Sequence, residues 1–129
     1  PAGSIDLTWM LPAPAQGAVA VACREDDERL KQICAGINDH DTAVCTGVER
    51  DFLRTLMGGC TTPISALATI ENGEVVLKGS LHSKDGRQMI GVEKRSALSG
   101  AAGIGKEAGA EVMQRGGDII IESIKHGGE

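Results

Sequence analysis

The residue of this chain best suited to covalent chemistry is Cys60, in the run Gly58-Gly59-Cys60-Thr61-Thr62-Pro63-Ile64. An amphipathic helical pattern leads into this run, and an alternating strand pattern leads out of it. Paired glycines readily end a helix, and proline fits the position just before a strand. The run therefore predicts a cysteine on a loop, where a thiol is open to reaction. On these residues alone, an ordinary thiol in a helix-to-strand turn remains the favoured interpretation.

Two other positions suit the binding of an anionic ligand. The small and β-branched run Ala18–Cys23 predicts a strand buried on both faces, and Arg24 follows it. Ligands of open α/β sheets bind at the carboxyl ends of strands, where a guanidinium can hold a carboxylate. A solvated arginine, or a surface ion pair with Glu25 or Asp26, is the alternative. Gln16-Gly17 offers a side-chain amide and an approachable backbone, although a plain turn is the simpler reading.

Composition excludes several classes of function. The 129 residues carry a net charge of −5, which gives no general attraction for nucleic acid. No apolar run approaches the ~20 residues that span a bilayer, and no secretory signal is evident, so we expect a cytoplasmic protein. The cysteines lack the close spacing of a zinc site, so no metal is predicted. Cys23, Cys34 and Cys45 are expected to be small buried hydrophobes.

The positioning elements follow from periodicity. A short acidic helix is predicted from Asp26 to Cys34, and a four-turn helix from about Asp41 to Met57. The buried stripe of the longer helix is expected to comprise Val44, Cys45, Val48, Phe52 and Leu56, with Glu49, Arg50, Asp51 and Arg54 mostly off it. Three strands then alternate around hairpin signals at Asn72-Gly73 and Asp85-Gly86, and glycine-rich helices follow. The sequence predicts an α+β fold, with a three-stranded antiparallel sheet and helices packed on one face. An orphan strand and helix from a missing α/β domain precede it.

Four motifs occur in the same order as in the porphobilinogen deaminase (hydroxymethylbilane synthase) family. The segment from Pro12 to Ala18 resembles the family's Pro-Ala-x-Gly-Gln-Gly-Ala, and Cys23-Arg24-Glu25-Asp26-Asp27 resembles its Cys-Arg-x-Asp-Asp. Val48-Glu49-Arg50 with Leu53 resembles its Glu-Arg helix, and residues 58–64 resemble its cofactor loop, Gly-Gly-Cys-Gln-Val-Pro-Ile. Lys84-Asp85-Gly86 fits a later hairpin. The chain departs from the family pattern at Ala15, Ala22 and Thr61, of which Ala15 bears on how closely a ligand can approach the backbone.

The resemblance implies an enzyme that adds four porphobilinogen molecules in turn to a dipyrromethane cofactor and releases hydroxymethylbilane for tetrapyrrole (heme) biosynthesis. The cofactor would be joined by a thioether to Cys60, with Arg24 binding pyrrole carboxylates and Gln16 and Gly17 at the cofactor end of the cleft. No catalytic residue is expected in this chain, because the family's catalytic aspartate belongs to its first domain.

The resemblance also implies a C-terminal fragment of a three-domain protein. Residues 1–17 would be the tail of domain 2, residues 18–37 a crossover strand and helix of domain 1, and residues 38–129 the cofactor-carrying domain 3. We expect the full-length protein to be a monomer without membrane or nucleic-acid partners. The fragment is expected to be inactive, to hold no cofactor, and to dimerise through residues 18–23. The alternative is a non-catalytic binding or regulatory module with a structural or redox Cys60.

Overall fold

A computed structural model describes residues 3–7, 9–56 and 62–126 of the chain. Its elements run in the order α1 (Glu28–Gly36), α2 (His40–Thr55), β1 (Ile64–Glu71), β2 (Glu74–His82), β3 (Met89–Ala97), α3 (Ala101–Val112) and α4 (Asp118–His126). A single 3₁₀ turn precedes α3, and one wide π-type turn joins α3 to α4. This order confirms the predicted α+β class.

The three strands form one antiparallel sheet in the order β1-β2-β3. Asn72 and Gly73 both have positive φ angles, 53° and 82°, as a type I′ turn requires. This turn sets Glu71 opposite Glu74 and thereby fixes the register of β1 against β2. Gly86, with φ 70°, lies in the loop between β2 and β3. Both predicted hairpins are confirmed.

Helix α2 packs on the sheet and precedes the Gly-Gly-Cys run in sequence. The Asp39 side chain caps its first turn by accepting a hydrogen bond from the Thr42 backbone N–H at 2.8 Å. The helix ends at Thr55, two residues before the predicted end. Phe52 is fully buried, and a Cβ added at Gly79 on β2 would lie 2.7 Å from its ring. The chain's one phenylalanine therefore requires a glycine in the strand beneath it.

The core is aliphatic and lies between the sheet and helices α2, α3 and α4. One face of the sheet contributes Ile64, Ala66, Ala68, Val75, Leu77, Leu81 and Val92, and the helices contribute Val48, Phe52, Leu56, Ala101, Ile104, Ala108, Val112, Ile120, Ile121 and Ile124. Packing of the helices on one face of the sheet is as predicted. Burial of these side chains is the main stabilising contribution, since each is worth about 1.5–3 kcal/mol when large and fully buried.

The predicted strand at residues 18–23 does not form. These residues have no assigned strand, and all of them are exposed, with Val19 at 91% and Val21 at 61%. A strand needs a neighbour to accept and donate its backbone hydrogen bonds, and the described part of the chain supplies none here. The predicted helix that follows is present as α1, but it has no buried residue.

The cysteines that were expected to be buried are more open than the pattern indicated. Cys23 is exposed, whereas Cys34 and Cys45 are half-buried. The apolar stripes of Cys23 and Cys34 belong to residues 18–36, which do not join the core. A hydrophobic pattern predicts a face that can be buried, but not that the burying surface lies in the same chain.

Candidate functional site

Cys60 falls outside the described residues, so its predicted role stays a prediction. Two described residues that flank it in sequence, Leu56 and Ile64, both belong to the core. Leu56, which follows α2, is fully buried, and Ile64 begins β1 with 7% of its surface exposed. The Ile64 backbone N–H donates to the Thr62 carbonyl at 2.8 Å.

Gln16 and Gly17 lie in a tight turn over residues 13–17. The Gln16 side-chain oxygen accepts a hydrogen bond from the Ala13 N–H at 3.0 Å, and the Gln16 N–H donates to the Ala13 carbonyl at 3.0 Å. Gly17 has φ +88°, and a Cβ placed there would meet nothing within 4 Å. The side-chain amide therefore closes its own turn, while the Gly17 backbone stays open to a neighbouring group.

A cavity of about 460 Å³ lies between this turn, α2 and β1. Gln16 and Gly17 line one wall, and Cys45, Glu49 and Ala68 line others. Its charged lining side chains are the acids Asp41 and Glu49, with no lysine or arginine from the described residues. This cavity alone therefore does not supply the positive charge that a carboxylated pyrrole requires.

Glu49 lines the same cavity, although the sequence predicts it to lie mostly off the buried face of α2. It is only 5% exposed, and both carboxylate oxygens accept backbone hydrogen bonds. Oε2 accepts from the Ala15 N–H at 2.6 Å, and Oε1 accepts from the Ala68 N–H at 2.7 Å. The signal was present in the spacing, because Cys45, Glu49 and Phe52 recur at intervals of four and three. The prediction placed Glu49 off the buried stripe because glutamate is charged, although its spacing fits the stripe. The two backbone N–H donors explain why its burial is tolerated.

Arg24 lies at the surface rather than in the Gln16–Gly17 cavity. Its guanidinium is 3.8 Å from Asp26 and 4.0 Å from Asp27, and its side chain is 80% exposed. Asp27 also caps α1 by accepting from the Leu30 N–H at 2.9 Å. The geometry matches the surface-ion-pair alternative, and such long, solvated pairs are weak enough to exchange for another carboxylate.

The arginines of α2 differ from one another. Arg54 is 3.1 Å from Asp51 in a surface ion pair. Arg50 instead lines a second cavity of about 380 Å³, beside residues 18–21 and Cys34. The structure thus places a cationic side chain between the core helix and the segment that precedes Arg24. It does not place Arg24 and the Gln16–Gly17 turn on one cavity.

The half-buried thiols are poorly suited to nucleophilic chemistry. Burial raises the pKa of Cys45, and the charges of Glu49, Asp41 and Asp39 raise it further. Burial also raises the pKa of Cys34, with a smaller contribution from the neighbouring Cys23 thiol. Within residues 3–7, 9–56 and 62–126, no three histidine, cysteine or acidic side chains converge in a way that would hold a metal ion.

Comparison with known proteins identifies the family. Residues 43–114 match the family model for the C-terminal domain of porphobilinogen deaminase. The chain is 38% identical to the porphobilinogen deaminase of Moorella thermoacetica over 89% of its own length and 37% of the relative. For the enzyme of Deinococcus radiodurans the identity is 36%, over 94% of this chain and 39% of the relative. The identity to the porphobilinogen deaminase of Geobacillus kaustophilus is 37%, over 89% of this chain and 37% of the relative.

The chain therefore spans a little over a third of the length of these curated relatives. Within its described part, no helix combines the length and the apolar character needed to cross a membrane. Residues 43–114, which match the family model, include most of α2, the Cys60 position, the whole sheet and α3. By this match, and by its α+β architecture, the chain belongs to the porphobilinogen deaminase family, of which it carries the C-terminal domain.

Proposed function

We propose that this chain is the cofactor-carrying part of a hydroxymethylbilane synthase, with Cys60 as the attachment point of a dipyrromethane. The observation that carries the proposal is the family match across residues 43–114, which spans the Gly-Gly-Cys loop. A thiolate is a strong nucleophile, and a thioether would hold a growing pyrrole chain without releasing it. When bound, the dipyrromethane supplies the free pyrrole end to which four porphobilinogen units are added.

Two of the described residues, Gly17 and Arg24, suit the binding of a dipyrromethane. The Gly17 backbone is open, so a flat ring can approach it without meeting a side chain. Arg24 is held only by ion pairs of 3.8 and 4.0 Å, so its guanidinium is available to a pyrrole acetate or propionate. Binding and orientation of the acidic substituents is the work proposed for this chain's own residues. The Gln16–Gly17 cavity has acidic walls, so further cations must come from outside it.

The proposal is tested by the mass of the complete polypeptide that contains this sequence, measured under denaturing conditions. We expect an adduct of two pyrrole units that is lost in Cys60→Ser. Cys45→Ser is the matched control and should keep the adduct, because the Cys45 thiol is half-buried and its pKa is raised. An unmodified wild-type mass, or an adduct that survives Cys60→Ser, would overturn the proposal. The first result would favour the non-catalytic binding module.

We further propose that residues 1–129 alone do not turn over porphobilinogen. The proposed division assigns residues 1–17 to domain 2, residues 18–37 to domain 1 and residues 38–129 to domain 3. On that division the catalytic aspartate and most of the cleft's arginines lie outside this sequence. Measurable hydroxymethylbilane formation by the 129-residue chain would contradict this. A cytoplasmic location and a monomeric complete enzyme remain predictions of the same scheme.

A further inference from the structure

Glu49 is unusual among the described side chains because it is a carboxylate in the core. Among the described residues, the buried polar or charged ones are Glu49, at 5% exposure, and Ser80, at 6%. An ionised carboxylate is costly to bury unless its oxygens are satisfied. Glu49 meets this condition with two short backbone hydrogen bonds, of 2.6 and 2.7 Å. Bonds of this length to a carboxylate are charge-assisted and stronger than those between neutral groups.

The two donors lie far apart in sequence. Ala15 is 34 residues before Glu49, in the turn that contains Gln16 and Gly17, and Ala68 is 19 residues after it, on β1. Ala15 itself has φ +60°, a conformation that few residues other than glycine adopt without support. One carboxylate therefore joins a turn, a helix and a strand.

On β1, the Glu49 carboxylate binds a backbone N–H that makes no hydrogen bond within the sheet. Strand β1 is at the edge of the sheet, and the Ala66 and Ala68 N–H groups donate to acceptors outside it. Ala66 donates to the Pro12 carbonyl at 2.9 Å, and Ala68 donates to Glu49. The segment that carries the Gln16–Gly17 turn is thus tied to the β1 edge directly at Pro12 and through Glu49 at Ala15.

No other residue type satisfies both donors from this position. Glutamine has one acceptor oxygen and an NH₂ group, so one of the two backbone N–H groups would face a donor. Aspartate has two acceptors but is shorter by one methylene. A glutamate on α2 reaches both groups because it is long enough and accepts through both oxygens.

We propose that Glu49 is a positioning residue, whose carboxylate holds the residue 13–17 turn, and with it Gln16 and Gly17, in fixed geometry against α2 and β1. Its relevance to catalysis rests on the proposed function, in which this turn lies at the cofactor end of the cleft. Glu49 acts through the turn and is not itself a catalytic residue. Loss of the Ala15 hydrogen bond would release the turn from Glu49 and leave the Pro12–Ala66 hydrogen bond as its described backbone tie to β1.

The structural test uses the 129-residue chain. In the wild type, a scalar coupling across the hydrogen bond should link the Ala15 amide nitrogen to the Glu49 carboxylate carbon. In Glu49→Gln, exchange of the Ala15 or the Ala68 amide should accelerate by about 10- to 100-fold, because a charge-assisted bond is lost. Glu122→Gln, at an exposed site on α4, is the control and should leave both rates unchanged. Core amides such as that of Leu77 serve as the internal standard for folding.

The wild-type coupling keeps the proposal testable even where Glu49→Gln fails to fold. Its absence, or unchanged exchange at both amides in a folded Glu49→Gln chain, would overturn the proposal.

The functional test uses the complete polypeptide and relates kcat to the fraction of molecules that carry the dipyrromethane adduct. Glu49→Gln should lower this normalised kcat by about tenfold to a hundredfold, with a smaller change in KM for porphobilinogen. A merely structural role would lower the loaded fraction and leave the normalised kcat unchanged, which would overturn the positioning role. A wild-type protein without the adduct would instead overturn the proposed function, and the coupling and exchange measurements would still decide the anchoring.

Discussion

Single ion pairs give the chain a pH dependence that can be assigned to named groups. The Lys94 ammonium lies 2.7 Å from a Glu111 carboxylate oxygen and links β3 to α3. The hydrogen bond to Lys94 lowers the pKa of Glu111, and the bond to Glu111 raises the pKa of Lys94. A lowered acid pKa stabilises the fold above the pKa of the unfolded carboxyl, and this stabilisation is lost as the pH falls through the folded-state value. The raised Lys94 pKa stabilises the fold below the pKa of the unfolded amine and ceases to do so in strong alkali.

We therefore expect Glu111→Gln to lower the free energy of unfolding near neutral pH and to lose this effect in acid. The difference from the wild type should shrink as the pH falls below about 4.3, the ordinary pKa of a glutamate. Urea unfolding at pH 7 and at pH 2.5 measures both differences. Glu122→Gln serves as the exposed control. Equal destabilisation by Glu111→Gln at both pH values would show that the charge interaction is not the cause.

Individual side chains were the hardest features to infer from sequence. The predicted covalent role of Cys60 came from motif resemblance, since its local pattern favoured an ordinary thiol. Arg24 was given two interpretations, and in this chain the surface ion pair is the one observed. Glu49 was judged by its charge, although its neighbours Val48 and Phe52 are buried. Burial of a carboxylate depends on amide donors 34 and 19 residues away, which no local pattern contains.

Helix α3 depends on glycines where it crosses α2. A Cβ at Gly105 would overlap the Val48 carbonyl oxygen and lie 3.0 Å from the Asp51 Cβ, whereas a Cβ at Gly103 would find its nearest atom 3.7 Å away, at the flexible end of Glu107. Gly105→Ala should lower the free energy of unfolding by about 1–3 kcal/mol, because two backbones must separate. Gly103→Ala should raise it by about 0.4–1 kcal/mol, because alanine lowers the entropy of the unfolded chain.

Urea unfolding of the two variants beside the wild type measures this contrast within one helix. A similar loss of stability in both would mean that glycine serves α3 through backbone flexibility. A loss confined to Gly105→Ala would assign its need for glycine to the helix contact.

The elements of the core domain were predictable because capping and turn residues mark their ends in the sequence. Asp39 caps α2, and Asn72-Gly73 forms the turn between β1 and β2. Gly116, with φ +99°, interrupts the helical conformation between α3 and α4. The apolar run at 18–23 shows the limit of such patterns. Its residues prefer a buried strand, but strand formation requires a neighbouring strand, which local sequence does not provide.

At the scale of the whole molecule, the chain divides into a packed domain and an exposed N-terminal part. The core draws on residues from Val48 to Ile124, whereas α1 and residues 18–23 bury nothing fully. Large apolar side chains stand exposed along the N-terminal part: Val19 at 91%, Val21 at 61%, Ile33 at 53% and Ile37 at 65%. Their burial by a further copy of the chain is favourable at about 25 cal/mol per Å² of apolar surface.

We therefore expect the 129-residue chain to dimerise through residues 18–23, which can pair as strands once a partner supplies the missing hydrogen bonds. The double variant Val19→Lys with Val21→Lys should weaken dimerisation at least about tenfold, since it replaces apolar contacts with like charges. Sedimentation equilibrium over a range of concentrations measures the dissociation constant. Ile119→Lys is the matched control, because Ile119 is also exposed, at 70%, but lies on α4.

Protection of the 18–23 amides from exchange should appear only at concentrations where the dimer forms. This readout separates paired strands from loose hydrophobic association, which would leave those amides unprotected. A chain that stays monomeric throughout would contradict the prediction. An equal effect of Ile119→Lys would assign association to general surface hydrophobicity, and residues 18–23 would then have no special part in it.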